Sequence, residues 1–339
     1  MPGEDLYAAP DLKNDCMVDG AKAALANVLS LKAGERVLVV MDAGKREIGR
    51  AFAMGAMALG AKATEYMLLE EMRPYRSVPR DLAEMFRGYN VIINTFCTDA
   101  QETPFRVELL YKEITYDARV GHAPGITEEM MTRGPLGVDY AEVRRQAEYL
   151  MERFKDAVEV RVTTPNGTDI TMDIRGRGFL TDVIIENGTF GNLPAGEIWC
   201  APVENAASGT VICDGTIGDL GQVPAPLKIE LRNGKVAALE SEAHDLVEQV
   251  RALISLDSMS DVIGELGIGL NPGARLNGNM LEDEKAVGTA HIALGNNIDM
   301  INGQNNSKTH RDFLFYNPTF HVKYADGSSA TLIKDGKVV

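Results

Sequence analysis

Two of the five histidines, His291 and His310, fall within a single stretch, Gly288–Asp312, which ends on Asp312. His310 and Asp312 are separated by one residue. On a strand, residues i and i+2 share a face, so both could aim at one point. Imidazole nitrogen and carboxylate oxygen are, thiolate aside, the usual ligands of zinc and similar divalent ions. Further ligands must come from elsewhere in the chain. Glu265, in GELGIGLNPGARLNG, follows a helix-like stretch and enters a glycine- and asparagine-rich segment, where turns can hold a carboxylate. Glu197, in NLPAGEIWCAPV, leads into an apolar strand with the only tryptophan, a rigid place to mount a ligand. A histidine satisfied inside the fold accounts for an isolated H-x-D at least as well. His291 and the acidic run LEDEK before it bring the metal reading level with that one.

Together Glu197, Glu265, His291, His310 and Asp312 would offer three carboxylates and two imidazoles. One ion rarely needs all five; two ions sharing a bridging carboxylate and a water would use them. The carboxylates oppose most of the charge of two dications, and a bridging hydroxide would offset more. Such a hydroxide is available near neutral pH, because the ions lower the pKa of bound water by several units. The same charges would stabilise an oxyanion formed on a carbonyl. Amide hydrolysis follows. Glu282, Asp283 or Glu284 could carry a proton to a leaving amine; a place on a helix surface accounts for them equally well.

Composition narrows the classes. The chain has 339 residues, 45% apolar and 24% charged, which suggests a soluble globular protein of two domains. A formal charge of −15 argues against nucleic acid or an anionic membrane as partner. Cys16, Cys97, Cys200 and Cys213 form no C-x-x-C pair and read as reduced, mostly buried thiols of a cytoplasmic protein. No basic segment followed by an apolar run suggests a signal peptide, and no apolar stretch suggests a membrane span.

The elements that must position these residues fall into two halves. In residues 1–155, a helix at Asp15–Ser30 precedes a valine-rich strand Arg36–Met41, a helix Lys45–Leu59 and a strand Ala63–Leu68. The loop between the first strand and its helix is not G-x-G-x-x-G, so no dinucleotide fingerprint is present. A short helix at Arg80–Arg87, a strand at Asn90–Thr95, a helix then strand over Glu108–Ala118, and an amphipathic helix Val138–Phe154 complete an α/β domain with a mostly parallel sheet. From Val158 onward alternation takes over, with hairpin signals at P-N-G and R-N-G-K. Phe313–Tyr324 again alternates. Residues 156–339 thus read as an α+β metal-binding domain with a mixed or antiparallel sheet.

Other polar residues have bland readings. His122, in RVGHAPGITEEMMTRG, reads as a surface-loop histidine, and His244 as exposed. Thr127 is a helix cap. Asp169 and Asp173 suit turns or the surface. Arg175 and Arg177 share a face and could either receive a substrate carboxylate or pair with surface acids.

The stretches HAPGITEEMMTRG, GTDITMDIRGR, NLPAGEIWCAP, GELGIGLNPGAR, LEDEKAVGTAHIALG and THRDF, in this order and over most of the chain, resemble the thermophilic aminopeptidase family, the aminopeptidase T-like metallopeptidases of the M29 type. The resemblance implies an N-terminal α/β domain and a C-terminal domain with two divalent ions, zinc, cobalt or manganese. It implies ligands at Glu197, Glu265, His291, His310 and Asp312, with Glu265 and Glu197 catalytic. It also implies a homodimer whose sites face an enclosed cavity and act on short peptides or small amides. Two features depart from the pattern. The chain is shorter than is typical, and the tyrosine that the family places after the GTAHIALG histidine falls here near Ile298. Asn296, Asn297 or Tyr316 are the candidates to replace it; a missing donor could cost roughly 10²–10³ in rate. Two alternatives stand beside the peptidase. One is a mononuclear iron(II) ring-cleaving dioxygenase, since dihydroxypyridine dioxygenase is similar in fold and uses two histidines and one acid. The other is a dimer that binds metal and peptide without turnover.

Overall fold

Apolar runs build the first sheet. Arg36–Met41 (RVLVVM) is buried from Val37 onward and Val91–Thr95 (VIINT) throughout, as strands covered on both faces must be. The computed structural model describes residues 12–339. In it five parallel strands lie in the order Lys62–Met67, Arg36–Met41, Val91–Thr95, Arg119–His122 and Phe190–Asn192. The strand order reverses direction beside Arg36–Met41, as in doubly wound α/β sheets. The helix Leu12–Asn27 packs on Arg46–Ala58, which buries Ile48, Phe52 and Ala56. Leu38, Val40, Phe86, Ile92, Phe96, Phe105, Leu109 and Val120 form one apolar cluster.

Two elements here differ from the sequence reading. The stretch read as helix then strand over Glu108–Ala118 is the end of a helix, Thr103–Ile114, and the strand starts only at Arg119. His122 is not a surface-loop residue. It closes the strand Arg119–His122 and is buried. Three residues of strand before it are too few for an alternation pattern to show.

The chain divides into two compact units. One runs up to Tyr140 and takes in Ile184–Pro194; the other comprises Ala141–Val183 and Ala195–Val339. The second unit has two antiparallel sheets. The eight-stranded one runs Lys235–Glu240, Leu227–Arg232, Ala207–Cys213, Asp169–Asp173, Ala157–Thr163, Thr319–Tyr324, Ser329–Lys334 and Lys337–Val338. Its inward residues alternate as a half-buried sheet demands: Val160, Val162, Ile170, Met172, Ile229, Leu231, Phe320 and Val322 are all buried. The R-N-G-K hairpin forms as its sequence suggests, with Asn233 and Gly234 at φ 50° and 77°, the left-handed pair that a tight two-residue turn needs.

The seven-stranded sheet carries the chemistry. Its order is Gly221–Gln222, Thr216–Ile217, His310–Tyr316, Thr289–Gly295, Ile263–Gly269, Glu197–Cys200 and Leu180–Thr181. Ile263–Gly269 and Thr289–Gly295 are buried at every position, so neither shows alternation. The segment read as a single alternating run over Phe313–Tyr324 is in fact two strands, one in each sheet, separated by Asn317 at φ 52°. Among the described residues no helix is long and apolar enough to cross a membrane.

Candidate metal centre

The five residues singled out from the sequence come together on four adjacent strands. Each stands opposite a glycine or an alanine: Glu197 pairs with Gly269, Glu265 and Asp312 with Ala293, His291 with Gly267, and His310 with Gly295. Small partners leave room for large polar side chains to converge on one face. A bulge between Ile263 and Glu265 sets the register of that strand. Glu265 is therefore a central-strand residue and not the turn-held carboxylate that its glycine-rich surroundings suggest. Glycine depresses strand propensity, which hid the strand; here it makes space.

Glu265 is the hub. Its Oε1 lies 3.0 Å from His291 Nε2 and its Oε2 lies 3.2 Å from His310 Nε2. His310 Nε2 is also 3.3 Å from Asp312 Oδ1, and His291 Nε2 is 3.7 Å from Glu197 Oε2. Ligand-type atoms within 4.8 Å of one another form three groups: Glu197, Glu265 and His291; Glu265, His310 and Asp312; and Glu284, His291 and Asp312. Nδ1 of His310 donates to the Asn296 carbonyl at 2.8 Å, which fixes the ring and leaves Nε2 facing the carboxylates.

The electrostatics favour cations. Burial pushes the Glu197 and Glu284 carboxyls upward. Burial pushes Glu265 the same way, but hydrogen bonds to His291 and His310 outweigh it and hold Glu265 well below the usual carboxylate range. Against the same burial, Glu265 and Glu197 raise His291 to about 9, and Asp312 with Glu265 raises His310 well above its ordinary value. Each imidazole thus sits where positive charge is stabilised, and a bound divalent ion would displace those protons. Glu197 Oε2 and His291 Nδ1 are buried without a hydrogen-bond partner among the described residues. An orphaned polar atom of this kind costs about 1–3 kcal/mol. The orphaned Glu197 oxygen faces His291 Nε2 and is an atom a divalent ion would use, so the donor set fits such an ion.

Of the two readings open for the acidic run, burial removes the helix-surface one. Glu282, Asp283 and Glu284 are not on a helix surface; all three are buried. Glu282 accepts from Arg275 N and Asn277 Nδ2, and Asp283 from Asn277 N, Gly278 N and Thr216. Only Glu284 turns toward His291 and Asp312. Lys285 was missed. It is fully buried, with Nζ 2.6 Å from Glu284 Oε1, 3.3 Å from Asp182 Oδ2 and in contact with Glu197 Oε1. A lysine after three acids reads as a surface charge, and nothing local marks it as interior.

The remaining candidates lie elsewhere. Asp169 pairs with Arg161, Arg175 with Asp173, and Arg177 with Glu204, so both arginines have protein partners. His244 is exposed. Of the candidates to replace the tyrosine, Asn297 donates to Glu204 and the Gly264 carbonyl and accepts from Asn305 N. Tyr316 lies six residues along the strand from His310, about 20 Å away at the strand rise. All four cysteines are free thiols; Cys200 and Cys213 are buried, Cys97 is half-buried and Cys16 is exposed.

A family model described as thermophilic metalloprotease (M29) matches residues 139–338. The fold resembles 2,5-dihydroxypyridine dioxygenase from Pseudomonas putida KT2440, with a TM-score of 0.74 at 16% identity, covering 96% of this chain and 97% of that one. It also resembles wild-type AmpT from Thermus thermophilus, with a TM-score of 0.73 at 17% identity, covering 96% and 99%. At these identities the two structures speak to the fold. No match is found among curated protein sequences.

Proposed function

Because the chain belongs to the thermophilic metalloprotease (M29) family, we propose that it is a metal-dependent aminopeptidase that releases N-terminal residues from short peptides. The observation that carries this is the position of Glu265, whose two oxygens reach two separate ligand groups. A carboxylate so placed is suited to bridge two ions. Glu197 and His291 would complete one position, His310 and Asp312 the other. Zinc, cobalt or manganese bound there would acidify a water and polarise the scissile carbonyl.

The protein's own groups have distinct tasks in this reading. Glu265 and Glu197 hold the water's place against the carbonyl. Asn296 orients His310 through its carbonyl. Glu284, near His291 and Asp312 and raised by burial, is suited to take a proton and return it to the leaving amine. His310 and Asp312 retain side-chain exposures of 35% and 16%, against 1% for His291, so substrate approaches from their side.

The iron dioxygenase alternative calls for two imidazoles and one carboxylate about a single ion. Each group that converges here contains one imidazole and two carboxylates, which favours the hydrolase. The test is metal analysis of purified protein, followed by amine release from dipeptide amides with added cobalt or manganese. Close to two ions per chain is expected, with turnover abolished in Glu265→Ala while the fold persists. One tightly bound iron would overturn the reading. Metal uptake with no amine release across a broad peptide panel would point to the non-catalytic dimer.

A further inference from the structure

Lys285 is 0% exposed, and its Nζ meets three carboxylates: Asp182 at 3.3 Å, Glu284 at 2.6 Å, and Glu197. Its ammonium donates to Glu197 and Glu284 and stands in ion-pair range of Asp182. Asp182 belongs to the scaffold: its Oδ1 accepts Gly196 N at 2.8 Å and Glu197 N at 3.1 Å, fixing the backbone where Glu197 begins its strand. Glu197 and Glu284 differ from it, because both also belong to the ligand groups. Lys285 holds the Oε1 atom of each. The second oxygen of Glu197, buried without a hydrogen-bond partner among the described residues, is the one left to face an ion.

Among the described residues no lysine or arginine pairs with the other ligand group. Glu265, His310 and Asp312 meet one another, and the neighbouring Arg311 is taken up by Asp219. An ion held through the free oxygen of Glu197 would stand about 6 Å or less from the lysine ammonium, given ordinary ligand distances. At that separation, in an effective dielectric near 20, repulsion between a fixed monocation and a dication changes a binding constant by orders of magnitude. The ion beside His310 and Asp312 is spared that contact.

We propose that Lys285 makes the two ion positions unequal. The position at Glu265, His310 and Asp312 is filled first and held firmly. The position at Glu197, Glu265 and His291 is weak and exchangeable, so its occupancy follows the free ion concentration. This rests on the two-ion reading above.

The experiment is titration of the chelator-stripped, full-length chain with Mn²⁺, following free ion by electron paramagnetic resonance, for wild type, Lys285→Met and Lys285→Gln. Wild type is expected to bind in two steps at least about tenfold apart in Kd. Both variants should tighten the second step by about tenfold or more and leave the first nearly unchanged. Asp312→Asn should weaken the first step selectively. Two equal steps in wild type would overturn the proposal without any variant. So would a second step unchanged or weakened in folded Lys285 variants, which would make the lysine a clamp for Glu197 and Glu284. A single ion bound by wild type and by both variants would instead sink the two-ion reading itself.

Discussion

Gly267 faces His291 directly across two antiparallel strands, and a Cβ at position 267 would lie 2.1 Å from both Cε1 and Nε2 of the imidazole. The ring occupies the space that any other residue would need. His291 is only 1% exposed, so it has nowhere to retreat. Gly267→Ala should therefore displace the ring, lower stability by about 1–3 kcal/mol as an overpacked core does, and reduce metal content. Urea unfolding and metal analysis on the same sample check this; a variant with wild-type stability and full metal would refute the crowding.

Metal loading should raise stability. At a free ion concentration one hundred times Kd, a site that exists only in the folded state adds about 2.7 kcal/mol. For a unit of this size that is a rise of about 5–10 °C in Tm. Calorimetry with and without chelator should show the shift in wild type and not in Glu265→Ala. Equal shifts in both would place the stabilising ion elsewhere.

The pH dependence has a signature away from the metal centre. Asn94 Nδ2 donates to Glu113 Oε2 at 2.9 Å and lies 3.3 Å from His122 Nδ1. Burial pushes Glu113 from 4.5 up to about 8. Burial, with help from the Arg106 charge, pushes His122 from 6.5 down to about 3. Between pH 6.5 and 8 the unfolded chain has lost the Glu113 proton while the folded chain keeps it, so stability falls as pH rises. Between 4.5 and 6.5 the His122 proton, bound only when unfolded, gives an opposite slope that offsets it. Below 4.5 only His122 contributes, and stability falls as pH falls. Glu113→Gln should flatten the 6.5–8 limb, removing a decline of about 2 kcal/mol. Denaturant titrations at several pH values read it directly; parallel pH curves for variant and wild type would refute it.

Asn305 braces the approach to His310. Its Nδ2 donates to the carbonyls of Gly295 at 2.6 Å and Met259 at 3.1 Å, and its N–H donates to Asn297 at 2.7 Å. Gly295 is the residue paired with His310. Asn305→Ala takes the amide from the Gly295 carbonyl, while Met259 keeps the Val262 N–H, and should cost about 1–3 kcal/mol. The first metal step should weaken along with it. A variant that unfolds at the wild-type urea concentration would show that water substitutes for the amide.

Much of this was legible in the residues themselves. The valine-rich Arg36–Met41, the R-N-G-K hairpin and the H-x-D spacing of His310 and Asp312 each obey a local rule, and each forms as that rule demands. What escaped depends on neighbours that no local window holds. The strand under Glu265 is masked by its own glycines, of which Gly267 makes room for His291. The burial of Glu284 and Lys285 is decided by Asp182 and Glu197, about a hundred residues upstream. His122 is interior because Asn94 and Glu113 receive it, again from other elements.

The route of the chain into Glu197 has a practical corollary. Phe190–Asn192 hydrogen-bonds as an edge strand to Arg119–His122, and Glu197 follows only five residues later. The unit that holds all five candidate ligands is thus interrupted by Ile184–Pro194, which belongs to the other one. No single cut can liberate it. A minimal version would need the chain severed ahead of Ala141 and Val183 spliced to Ala195 by a designed linker.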